Sequence, residues 1–157
     1  MSKAVLISIN PEWCGLIANG KKTVEVRKTR PKIETPFKVY IYCTKSKINS
    51  FWIGKRYSYA DDRIRNTFDV EGNGKIIGEF ICDRIIEFPY NANGYGLKAE
   101  KTLCALSGVP VKELYHYLQG KKPYGWHISN LKIYDNPREI SRFGLKRAPQ
   151  SWRYVEV

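Results

Sequence analysis

No stretch of this chain approaches the roughly 18 consecutive apolar residues of a membrane-spanning helix, so a helical membrane protein is excluded. The apolar run at residues 4–9 is interrupted by Ser8 and has no small-residue cleavage site after it. It therefore reads as a strand rather than an export signal, and a cytoplasmic location is expected. Histidine is scarce, with only His116 and His127, and the four cysteines (Cys14, Cys43, Cys82, Cys104) never form a C-x-x-C pair. Neither type shows the spacing of metal ligands, so no metal site is expected. Cys43 and Cys82 lie among aliphatic and aromatic neighbours and are expected to be buried free thiols. There is no P-loop and no G-x-G-x-x-G, hence no nucleotide cofactor is expected. Repeats and low-complexity linkers are absent as well. Acidic residues are few, 15 against 27 Lys and Arg.

The resulting formal charge of +12 is spread over only 157 residues. A field of that sign gathers polyanions and speeds their arrival, and nucleic acid is the commonest such partner. A hydrophobic content of 43% is ordinary for a packed core. One domain over residues 1–157 fits this length, with an insertion or irregular region at 46–73.

Local patterns give the elements. Residues 5–9 are β-branched and form a strand. Asn10 then offers an N-cap oxygen and Pro11 suits the first helical position; Trp13, Leu16 and Ile17 share one face of a helix over 11–19 that Gly20 stops. Residues 23–27 alternate, with Val24 and Val26 on one face and Thr23, Glu25 and Arg27 on the other. Further strands are expected at 37–43, at 75–88 (one long strand or two joined at a bend, with Gly78 the candidate bulge), at 125–129, at 131–134 and at 152–157. Residues 90–96 read as a loop. Helices are expected at 99–107, ended by Gly108, and from Pro110 to Gly120. At least six short strands with few helices between them favour an α+β mixed β-barrel over a parallel sheet.

Gly20-x-Lys22-x-x-Glu25-x-Arg27 carries the chemistry. Glu25 and Arg27 share a strand face about 7 Å apart. Arg27 can hold a phosphate through its planar fork or keep Glu25 ionised. In a site that excludes water, Arg27 depresses the pKa of Lys22 and Glu25 raises it, so Lys22 and Glu25 are candidate acid–base groups. Read without other support, the same residues describe a solvated pair worth under about 1 kcal/mol.

The pattern matches every fixed position of the G-x-K-x-x-E-x-R signature of ASCH domains, and the chain resembles short bacterial and phage-borne members of that family. Residues 39–45, 124–129 and 148–152 carry the similarity onward. The resemblance implies a PUA-like β-barrel with a few covering helices, and an RNA-binding module as the leading function. It also implies an alternative, because some members hydrolyse the acetyl amide of N4-acetylcytidine and others have been assigned RNA cleavage. The amidohydrolase branch uses a Lys, a Thr nucleophile three residues later and a more distant Glu. Lys22 fits the first, Glu25 stands where that Thr would be, and Glu100 and Glu113 are the candidates by neighbourhood for the third.

Around this motif, Arg27, Thr23, Tyr42, Lys45, His127 and Ser129 are expected to bind RNA or a nucleoside derived from it. Tyr42, with Tyr40, can stack on bases, and Lys45 and Lys47 can meet phosphates. His127 and Ser129 share a strand face and can contact a base or a 2′-hydroxyl. Lys55, Arg56, Arg63 and Arg65, interleaved with aromatics from Phe51 to Phe68, suit single-stranded RNA. A protein-interaction module, with incidental basic charge, is the third reading.

Overall fold

The computed structural model describes residues 2–54, 58–60, 69–89 and 94–157. Lys55, Arg56, Tyr57, Arg63, Arg65 and Phe68 of the basic-aromatic segment lie outside the described residues, as do residues 90–93 of the expected loop. The chain opens with β1 (Lys3–Ile9), α1 (Pro11–Ala18), β2 (Val24–Arg27) and β3 (Phe37–Cys43). A small group follows, β4 (Ser50–Ile53), β5 (Ser58–Ala60) and β6 (Val70–Glu71). Then come β7 (Lys75–Glu87), α2 (Leu97–Ser107), α3 (Val111–Leu118), β8 (Tyr124–Arg138) and β9 (Trp152–Glu156).

Six strands form one sheet in the order β2-β8-β7-β3-β1-β9, and β5-β4-β6 form a second. The β1–β3 pair is parallel, Val5 opposite Val39, while β1–β9, β2–β8, β3–β7 and β7–β8 are antiparallel. The fold is thus mixed α+β, its large sheet strongly curled into a half-barrel. Twist of the long strands brings the two edges together: the Arg27 guanidinium on β2 donates to Ser151, just ahead of β9. The Trp126 and Trp152 rings meet edge to face, 5.6 Å apart between centroids.

The interior of the half-barrel is filled by Val5, Ile7, Ile9, Val39, Ile41, Phe80 and Trp126, with Cys14, Cys43 and Cys82 as buried free thiols. Burial pushes the Cys82 thiol up to about 12. Val24 and Val26 turn the other way, under α2 and α3, where they meet Leu103, Leu114 and Leu118. A third cluster lies under residues 140–148, with Leu6, Ile76, Tyr134 and Tyr42.

Three local expectations change. Asn10 is extended but makes no side-chain cap. Its Oδ1 accepts instead from the Thr44 hydroxyl at 3.0 Å, because the parallel neighbour β3 ends beside it. The two strands expected at 125–129 and 131–134 are one, β8, which bends at Asn130 with φ 49° and runs on to Arg138. Asparagine tolerates that left-handed conformation, so a break in the β pattern is a bend and not an end. The helix expected at 99–107 begins at Leu97. The irregularity expected at Gly78 is present: pairing with β3 and with β8 shifts register beside it.

Candidate functional site

Position 22 is fixed by the end of α1. Gly20 takes φ 76°, and the Lys21 and Lys22 amides both return to the Leu16 carbonyl. This left-handed closure satisfies carbonyls that a helix end leaves open. It also turns the Lys22 side chain inward, where it is 1% exposed. Its ammonium donates to the Ser107 carbonyl at 2.8 Å. Ser107 is the last residue of α2, so the cation lies at the negative end of a helix dipole. The Thr23 amide bonds the preceding carbonyl, Leu106, and locks the two elements together.

Glu25 lies opposite Trp126 in the β2–β8 register and is 6% exposed. Its Oε1 accepts from the Val26 amide at 3.0 Å and lies 3.6 Å from the Lys22 ammonium. Its Oε2 lies 3.8 Å from the Arg27 guanidinium and has no hydrogen-bond partner. Arg27 spends its fork on the barrel seam: Nη2 donates to the Ser8 carbonyl at 2.6 Å and Nη1 to the Ser151 hydroxyl at 3.1 Å. Burial is the main reason that the Lys22 ammonium sits below the ordinary lysine range; Arg27 adds to that, while Glu25 opposes it. The sequence expectation named the two neighbours and their signs. Desolvation outweighs both.

These groups open into one cavity of about 260 Å³. Its walls come from four places: Ser8 and Asn10 at the end of β1, Trp13 of α1, Glu113, Leu114 and Tyr117 of α3, and Gln150 before β9. The Lys22 ammonium lies 5.4 Å from the Trp13 ring centroid. Tyr117 keeps 38% of its surface exposed, at the mouth. A small cavity with two aromatic rings, a buried cation and an unpartnered carboxylate oxygen suits a planar, hydrogen-bonding ligand of about one nucleotide.

Of the residues singled out from sequence, Lys22, Glu25 and Arg27 meet in this cavity, and Glu113 joins them. The others lie elsewhere. Thr23 is held by its backbone to Leu106 and Ile128. Tyr42 is buried in the third cluster, and Lys45 packs beside the Gly74 turn. His127 pairs with Asp83 (Nδ1 to Oδ1, 2.6 Å), and Ser129 donates to the Ile81 carbonyl at 2.7 Å. Glu100 is not among the lining residues. Sequence reading missed Ser107, Tyr117, Ser8 and Gln150. The free carbonyls at a Gly-stopped helix end were a usable signal for Ser107; Tyr117 had none beyond its place on α3.

A family model described as the ASCH domain matches residues 7–137. The crystal structure of ASCH from Zymomonas mobilis superposes with a TM-score of 0.66 at 17% identity, covering 98% of this chain and 87% of that one. A Tyr-to-Phe variant of the same protein gives 0.64 at 18% identity over 99% and 91% of the two chains. A Ser-to-Ala variant gives 0.61 at 17% over 98% and 88%. No curated protein matches the chain. Since the family model spans most of the sequence, from β1 through nearly all of β8, the chain belongs to the ASCH domain family.

Proposed function

We propose that this protein binds RNA by taking one unpaired nucleotide into the cavity around Lys22, Glu25 and Arg27. The observation that carries the reading is Glu25 Oε2, a buried carboxylate oxygen with no hydrogen-bond partner at a cavity walled by Trp13 and Tyr117. An orphaned acceptor of this kind is costly unless a donor arrives, and every base offers an N–H. Trp13 and Tyr117 supply the aromatic faces on which bases stack. Membership of a family generally associated with RNA, together with the charge of +12, supports the same partner. The test is fluorescence anisotropy of a labelled single-stranded RNA. Tyr117→Ala removes a half-exposed ring without opening the core and weakens binding about tenfold, the loss of one stacked base. Affinity that is untouched by both Tyr117→Ala and Glu25→Gln removes the cavity from the interaction.

A second reading rests on Lys22. A buried lysine held below its ordinary range keeps a larger neutral fraction, and a neutral amine can take a proton from water. With Glu25 alongside and Glu113 at the wall, the site would then hydrolyse an N4-acylated cytidine. Release of cytidine and acetate from N4-acetylcytidine, abolished by Lys22→Ala, is its signature. Binding without turnover leaves the first reading alone, and shortened RNA in the same reactions would show strand cleavage instead.

A further inference from the structure

Next to the cavity runs a shallow groove lined by Lys28, Thr29, Arg30, Pro31, Lys32 and Tyr124. It belongs to the loop that leaves β2, so its first residue directly follows Arg27. The loop is held at both ends. The indole of Trp126 donates to the Thr29 carbonyl at 3.3 Å and that of Trp152 to the Thr29 hydroxyl at 3.0 Å. The Lys32 amide donates to the Tyr154 hydroxyl at 2.7 Å. Three cations alternate along this anchored backbone, and among the described residues none forms an ion pair. Glu87, a carboxylate that feels Arg30, is taken by Lys122 at 2.8 Å.

Unpaired cations on a pre-positioned loop are an anion site whose ordering cost is already met in the fold. The groove is continuous with the cavity, because the Lys28 ammonium lies 4.9 Å over the ring of Tyr117, at the cavity mouth. From Lys28 to Lys32 the chain spans at most about 14 Å. Tyr124, beneath the Lys122 ammonium at 5.6 Å, presents a ring beside that line of charge.

We infer that the 28–32 loop is a phosphate rail for single-stranded RNA: the strand whose nucleotide enters the cavity lays its adjoining phosphates along Lys28, Arg30 and Lys32. The inference rests on the RNA reading of the cavity and adds to it that the ligand is an oligonucleotide. A free nucleoside would leave the rail empty. A duplex would hold its bases away from the Tyr124 ring, whereas an open strand can stack one there.

The experiment compares a fluorescein-labelled ten-nucleotide single-stranded RNA with a free ribonucleoside, which carries no phosphate, at several salt concentrations. The proteins are the wild type, Lys28→Gln/Arg30→Gln/Lys32→Gln, and a control with equal loss of charge, Lys98→Gln/Lys101→Gln/Lys132→Gln. The control residues are exposed, on α2 and on β8. For the rail variant, the slope of log affinity against log salt becomes shallower by about two, as three lost phosphate contacts on a single strand require. Its nucleoside affinity stays within twofold, and the control keeps the wild-type slope. An unchanged slope in the rail variant overturns the inference while leaving the cavity reading intact. An equal loss in the control overturns it too, by showing that net charge alone is felt. A wild type that binds neither ligand overturns both readings together.

Discussion

Among the described residues, Glu25 is the one carboxylate within ion-pair distance of the buried Lys22 ammonium, at 3.6 Å. Glu25→Gln keeps the shape and the bond from the Val26 amide, but leaves that ammonium with the Ser107 carbonyl and no counter-charge. Breaking one side of a buried pair costs about 3 kcal/mol, so urea denaturation at pH 7 should show a loss of that order. The pH dependence follows from the direction of the Lys22 shift. Folded Lys22 releases its proton more readily than unfolded Lys22, so this group adds stability as pH rises from its lowered folded value to the ordinary lysine value. Glu25→Gln deepens the shift, and the gap between variant and wild type narrows at high pH. A variant as stable as wild type at pH 7 would show that Lys22 does not depend on Glu25.

His127 offers a contrast at the same scale. Its bond holds the Asp83 carboxyl below the ordinary range. That contribution is present above the unfolded Asp pKa and is lost as pH falls through the folded one. The pair is partly exposed, so its worth is small. His127→Ala should let the Asp83 titration, followed by NMR, move back up, while RNA affinity stays unchanged because His127 is not part of the cavity wall. Weakened RNA binding in that variant would place a second contact surface on β8.

At the scale of elements, β7 and β8 form the long ribbon on which the half-barrel bends. Gly78 allows a close approach between them: a Cβ there would fall on the Lys132 carbonyl oxygen, a backbone atom that cannot rotate aside. Gly78→Ala should therefore destabilise the fold by about 2 kcal/mol, the usual cost of forcing extra volume into a packed place, measurable as a lower denaturation midpoint. A neutral outcome would mean that β8 can slide along β7 at no cost. The sequence marked Gly78 because a glycine interrupts an otherwise β-rich run. It divided β8 wrongly because Asn130 looks like a turn residue, and only its pairing to β7 on both sides shows the strand continuing.

For the whole molecule, charge and curl act together. Fifteen acids against 27 bases give a field that attracts polyanions, and the closing of the sheet's two edges positions the cavity beside the basic 28–32 loop. RNA affinity should fall with salt at a logarithmic slope of about −2 or steeper, as three or more phosphate contacts produce. A flat salt profile would turn attention to an uncharged nucleoside or to a protein partner.

What the sequence determined by itself was local. Strand alternation put Glu25 and Arg27 on one face and Val24 and Val26 on the other, because a period of two admits no other arrangement. Pro11 and Gly20 bounded α1, because each suits a backbone conformation found at a helix end. The G-x-K-x-x-E-x-R spacing picked out three of the cavity's charged groups. Only the tertiary structure decided what those groups do. Lys22 is buried because α2 brings the Ser107 carbonyl to it from 85 residues away, and Arg27 is a strut because the barrel seam delivers Ser8 and Ser151. Tyr42 is taken up by the third cluster and His127 by Asp83, both apart from the cavity. Such contacts depend on how elements pack across long separations, and desolvation follows from that packing; neither is written in the spacing of neighbouring residues.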